Sequence, residues 1–229
     1  MRGVRYDATR GLIEAQGPLL GLIAVIFGIF LFQGWQGRDW YLPYMCVPLQ
    51  VTEAWQALGE GNFGREDARA FGTLITCAFL HGGADHVIYN MLFLWVFAAL
   101  VAELIGHRWM FGIFFFTALT ASIFQVALNP QDPTPGLGAS GALMGFEGAY
   151  LGMAIRWHLP DPHVWPMARP ISPGRLAAVG VVGVYFDLSS IMDQVESNIA
   201  YGAHIGGFVG GILLAALAPL RPRGASLRR

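Results

Sequence analysis

Six stretches of this chain are apolar for close to the length a helix needs to cross a bilayer's hydrocarbon core, and that repetition leaves few folds open. They fall at about residues 18–35, 84–105, 109–128, 138–155, 175–192 and 200–217. A backbone in lipid must satisfy its own hydrogen bonds, so such runs are read as helices. With 55% hydrophobic and 13% charged residues, the chain is drier than a soluble domain of this size. The third and fourth runs are joined by Asn129-Pro130-Gln131-Asp132-Pro133-Thr134-Pro135-Gly136, and the fourth and fifth by a Pro-, His- and Trp-rich stretch over 157–173. Neither continues a helix. The longer segment 36–72 mixes Trp40, Tyr41 and Trp55 with scattered charges, as a segment lying on the membrane surface does. The expected fold class is all-α: a polytopic membrane protein, a bundle of six transmembrane helices with an interfacial first outer loop. A short cytoplasmic segment 1–17, a membrane domain 18–217 and a basic cytoplasmic tail 218–229 complete the expected organisation.

Orientation follows from the cations, and all 14 are arginine. With the N-terminus inside, Arg2, Arg5, Arg10, Arg108, Arg156, Arg169, Arg175, Arg221, Arg223, Arg228 and Arg229 lie inside, and only Arg38, Arg65 and Arg69 outside. That asymmetry predicts an integral multi-pass protein with both termini cytoplasmic. A net charge of -1, with arginines flanking spans rather than forming a stripe among aromatics, argues against a nucleic-acid partner. No small-residue cleavage site follows Phe32-Gln33-Gly34-Trp35, so the first run is expected to be a retained helix and not a signal peptide. Cys46 and Cys77 both fall on the outer side, where a disulfide is chemically possible; free thiols are expected.

The same topology sorts the polar residues by depth. The second, fourth and sixth runs all travel from outside to inside, so residues near their beginnings sit together, roughly 3 to 9 Å below the outer hydrocarbon boundary. His86 and Asn90 open the second run, Ser140 the fourth and His204 the sixth. A serine hydroxyl becomes a nucleophile when an imidazole takes its proton, and the tetrahedral intermediate then needs donors aimed at its oxyanion. Ser140 and His204 are the candidate nucleophile and base. His86 and Asn90, at i and i+4, share a helix face and can donate, as can the Ser140 amide. Gly206, Gly207, Gly210 and Gly211 let the sixth run approach the fourth closely.

These residues resemble the rhomboid intramembrane serine proteases. The likeness rests on Gly138-Ala139-Ser140-Gly141, on Gly202-Ala203-His204-Ile205-Gly206-Gly207, on His81 to Asn90 with its His-x4-His-x3-Asn spacing, and on Phe186-Asp187-Leu188. The resemblance implies an intramembrane serine endopeptidase of the bacterial inner membrane. Ser140 would be its nucleophile, His204 its general base and acid, and His86, Asn90 and the Ser140 amide its oxyanion donors. It also implies transmembrane protein substrates entering laterally between the second and fifth helices. No acidic third member is expected, because no carboxylate lies near the start of the sixth run at the serine's depth. The chain departs from the family at Phe71-Gly72-Thr73, where a Trp-Arg pair is common, and at Met144, where an aromatic residue often packs on the histidine.

Each residue also has a plainer reading. Small residues such as Gly138, Ser140 and Gly141 pack transmembrane helices, and an outer-end histidine can be an interface residue. Ser122 and Gln125, near the outer end of the third run, are candidates to hold the deacylating water or to bond neighbouring helices. Glu103 and Glu147 are assigned structural roles, with no partner evident for Glu147. His81, His86 and His204 could be metal ligands in principle, but no His-Glu-x-x-His arrangement exists, and neither metal nor cofactor is expected. Two rival classes are a catalytically silent rhomboid-like protein that binds transmembrane clients, and a transporter, for which no inverted repeat is evident.

Overall fold

The computed structural model of the chain describes residues 10–160, 172–192 and 200–227. Most of the turn-rich stretch 157–173, and part of the link between Asp187 and His204, lie outside those residues. Each of the six apolar runs forms a helix: α1 (Arg10–Gln36) comes first and, after the short helices α2 (Arg38–Tyr41), α3 (Pro48–Glu60) and α4 (Arg65–Thr76), follow α5 (Ala84–Ile105), α6 (His107–Leu128), α7 (Ser140–Arg156), α8 (Pro173–Met192) and α9 (Tyr201–Leu217). Three stretches are long and apolar enough to cross a membrane, Ala15–Gln36, Ala84–Ile105 and His107–Leu128, while Ala178–Met192 and Tyr201–Leu217 are apolar and shorter. The segment expected on the membrane surface is helical, and it exposes Trp55, Leu58 and Phe63.

Local chemistry sets the boundaries. Pro48 stands in the first turn of α3, where a missing N–H removes no helical bond. Asp85 in the first turn of α5 meets the partial positive charge of the helix start. Gly106 alone separates α5 from α6, at φ 85, a conformation that L side chains rarely adopt.

The core is built where α1, α5, α6 and α7 meet, around Leu94, Leu100, Ile113, Phe114 and Phe146. Two polar clamps hold α1 to this core. Gln33 is buried and bonded twice to His81: its Nε2 donates to the carbonyl at 3.3 Å, and its Oε1 accepts the backbone N–H at 3.1 Å. Trp95 Nε1 donates to Gln16 Oε1 at 2.7 Å. A buried amide side chain in an apolar helix costs free energy unless it is so partnered.

α7 and α9 are pressed together backbone to backbone. A Cβ on Gly207 would run into the Gly141 carbonyl, one on Gly211 into the Gly145 carbonyl, and one on Gly148 into the Phe208 carbonyl. Of the four glycines expected to bring the sixth run close to the fourth, Gly207 and Gly211 do so, whereas Gly206 and Gly210 face α6, where a Cβ would run into Phe124 and Thr120. α8 lies against α7 and α9, and α5 also packs on α7.

Two further contacts close the ends. At the end holding the start of α7, Cys46 and Gly136 exchange backbone hydrogen bonds at 3.0 and 2.7 Å, and the Leu49 N–H donates to the Asp132 carbonyl at 3.1 Å. These bonds tie the start of α3 and the residues before it to the loop before α7. At the opposite end, the tail folds back: the Arg223 N–H donates to the Leu104 carbonyl at 2.8 Å, Leu220 is buried, and Ser226–Leu227 (β2) pairs antiparallel with Trp157–His158 (β1).

Substituting Gly207→Ala is expected to destabilise the purified protein by about 1–3 kcal/mol, because carbonyl and methyl cannot share the space. Gly21→Ala, where a Cβ meets nothing within 4 Å, is expected to be neutral or stabilising. Thermal unfolding of both variants in detergent checks the contrast.

Candidate active site

Ser140 is the first residue of α7, so its N–H lies in a first turn that has no intrahelical acceptor. Before it comes Gly138 at φ 130, whose N–H donates to the Cys77 carbonyl at 2.9 Å. A Cβ at Gly138 would stand 2.8 Å from His86 Cε1, 2.9 Å from His86 Nε2 and 3.9 Å from Asn90 Nδ2. The ring and amide from the first two turns of α5 therefore converge on the backbone just ahead of Ser140, in space that only glycine leaves open.

Both groups are poised to donate. Asn90 is buried, and its Nδ2 has no hydrogen-bond partner among the described residues. His86 Nδ1 accepts a long bond, 3.5 Å, from the Gly82 N–H, which in the neutral ring leaves the proton on Nε2, the nitrogen turned to Gly138. An unpartnered buried amide is costly unless something else uses it, and a developing oxyanion is such a partner.

His204 lies in the first turn of α9, whose start is pinned by Gln125: its Oε1 accepts the Ala203 N–H at 3.2 Å. The Gly141–Ala203 contact sets Ser140 and His204 on touching backbones, and both side chains line one cavity of about 700 Å³. No hydrogen bond joins the two side chains. His86, Asn90, Ser122 and Gln125 line the same cavity, so every residue singled out in the sequence for the chemistry meets there. Ser122 is buried with its hydroxyl 3.5 Å from Cys77 Sγ.

One expectation is corrected. The histidine does have a carboxylate beside it: Asp187 of α8 approaches His204 Nδ1 with Oδ2 at 3.1 Å and Oδ1 at 3.3 Å. α8 runs opposite to α7 and α9, so its later residues, not its first ones, reach the level of Ser140. Reading only the beginnings of runs misses it, although the direction of the fifth run contained the signal. Met144 places its methyl 3.5 Å from where a Gly183 Cβ would be, one turn of α8 before Asp187. Glu147, two turns after Ser140, is buried with Oε2 2.9 Å from the Cβ position of Gly180, and Glu103 is exposed.

Around this centre, Cys46 and Cys77 are free, buried and adjacent. The Cys77 thiol beside it and burial push the Cys46 thiol up, so it stays protonated. His81 packs edge-on against His86 with ring centroids 5.0 Å apart.

Apolar helices of spanning length, packed around a cavity that gathers a serine, two histidines and an unpartnered amide, define an integral membrane protein of the helical-bundle class. The family model of the Rhomboid domain matches residues 68–220, two thirds of the chain, and the chain belongs to the rhomboid family. It is 28% identical over 257 residues to RHOMBOID-like protein 12, mitochondrial, of Arabidopsis thaliana, covering 99% of this chain and 73% of that one. It is 30% identical over 200 residues to Rhomboid protease GluP of Bacillus subtilis, covering 81% of this chain but 36% of GluP. Putative rhomboid protease YdcA of the same organism is 26% identical over 175 residues, with 76% and 80% covered.

Burial, with the His86 ring second, pulls His81 down from 6.5 to about 3. Between those values the unfolded chain binds a proton that the folded chain refuses, so this contribution to stability is complete above pH 6.5 and is lost as pH falls toward 3. Melting temperature is expected to drop between about pH 7 and about pH 4.5, and to drop less in His81→Phe. Differential scanning fluorimetry in detergent checks this; equal drops would refute it.

Proposed function

We propose that this chain is an intramembrane serine endopeptidase that cleaves transmembrane segments of other membrane proteins. The observation that carries the proposal is the single cavity into which Ser140, His204, His86 and Asn90 all converge, two of them on helices that touch through bare backbone. The six helices α1 and α5 to α9 cross the bilayer, with 1–17 and 218–229 cytoplasmic around a membrane domain 18–217. The cavity faces outward, the surface segment lies at the interface, and the membrane we assign is a bacterial inner membrane.

His204 Nε2 takes the proton of Ser140 as its Oγ attacks the scissile carbonyl. The negative charge that develops on the carbonyl oxygen is received by the Ser140 N–H, Asn90 Nδ2 and His86 Nε2. His204 then gives its proton to the departing amine, leaving an acyl-enzyme on Ser140. A water on the Ser122 and Gln125 side of the cavity attacks this ester with His204 again as base. The substrate comes in laterally between α5 and α8, both of which pack against α7. It must unwind locally to offer a carbonyl, so helix-weakening residues near the cut favour cleavage.

Purified protein is to be incubated with a fluorophosphonate probe and with a transmembrane test substrate. Ser140→Ala is expected to abolish labelling and cleavage, and His204→Ala to abolish cleavage with the helical fold intact. Asn90→Ala is expected to lower kcat by roughly 10²–10³-fold. Labelling and cleavage that both survive in Ser140→Ala would sink the reading.

A further inference from the structure

We propose that Asp187 of α8 is a positioning residue for this hydrolysis: its carboxylate holds the His204 ring in the tautomer and orientation that let Nε2 act on Ser140. The inference rests on the function proposed above and adds a third group to its chemistry.

The geometry is specific. Both Asp187 oxygens approach the same ring nitrogen, Nδ1, at 3.1 and 3.3 Å. An ionised carboxylate only accepts, so Nδ1 must carry the hydrogen, and a neutral ring then has its lone pair on Nε2. That is the nitrogen a base requires. When Ser140 gives up its proton, the ring becomes an imidazolium, and a carboxylate at hydrogen-bond distance stabilises the positive charge.

The placement is no accident of a polar surface. Asp187 is 9% exposed and is the only acidic residue between Pro173 and Met192. A carboxylate in an apolar helix is unfavourable unless paired and bonded, and His204 is the partner the structure provides. Register along α8 supports the same conclusion. Glu147 lies against Gly180, and stepping seven residues from each toward the cavity end reaches Ser140 on α7 and Asp187 on α8. About two turns on each helix bring the nucleophile and the carboxylate to one level. Met144 adds no competing restraint, because its thioether tip lies toward Gly183 and offers neither a flat face nor a strong acceptor for the ring.

Asp187→Asn keeps the shape and removes the charge, and its amide can donate to Nδ1 and so favour the wrong tautomer. With a transmembrane test substrate, this variant is expected to lose roughly 10²-fold or more in kcat with KM within about twofold. Fluorophosphonate labelling is expected to slow in parallel, and melting temperature to stay close to that of the unsubstituted protein. A folded Asp187→Asn variant with full kcat overturns the inference. So does a loss of kcat that only tracks a loss of thermal stability across Asp187→Asn, Asp187→Ala and Asp187→Glu. A second measurement needs no Asp187 variant: the unsubstituted protein should show a downfield imidazole N–H proton resonance that disappears in His204→Ala, and its absence also overturns the inference. Ser140→Ala separates the two layers. If that variant is dead while Asp187→Asn is fully active, only the role of Asp187 fails; if Ser140→Ala still cleaves, the parent reading fails first.

Discussion

The contact between α7 and α9 is the constraint on which the rest of the structure depends. Three glycines place a carbonyl of one helix where a side chain of the other would otherwise begin. Lipid provides little hydrophobic force to join helices, so association rests on close packing, and bare backbone packs closest. That contact sets Ser140 beside His204 before any side chain is considered. The remaining helices take up positions around it: α5 brings His86 and Asn90 to the backbone of Gly138, α6 fixes the start of α9 through Gln125, and α8 brings Asp187.

Polar groups in the bundle divide into those that hold it and those that wait. Gln33, Gln16 and Gln125 spend their amides on bonds between segments distant in sequence. Asn90 does not: its Nδ2 is buried without a partner among the described residues, beside Gly138, where a larger residue would strike His86. A protein interior tolerates such a group where a partner from outside the chain can reach it, and Asn90 lines the cavity.

Much of this was legible in the sequence, and the reasons differ by element. The apolar runs marked the helices because length and composition alone define them, and α5 runs over the expected 84–105. The meeting of Ser140, His204, His86 and Asn90 followed from alternation of direction along a spanning chain. The beginnings of runs two, four and six do not disclose Asp187, because a helix of opposite direction delivers its later residues to that level. Gln33 escaped for another cause: a lone amide in an apolar run carries no period, and its partner His81 is 48 residues away. The docking of the tail on Leu104 was equally hidden, since backbone bonds between remote segments leave no mark in side-chain pattern.

The glycine contact also bears on how the protein meets membranes of unequal thickness. A bilayer that thins or thickens tilts its helices or deforms around them. α7 and α9, interlocked carbonyl against α-carbon, must tilt as one body, so the register of serine to histidine is insulated from the lipid. α8 is joined to them by side chains instead, and its carboxylate meets the imidazole across that softer boundary. Any slack between α8 and that body therefore falls between Asp187 and His204 rather than between Ser140 and His204.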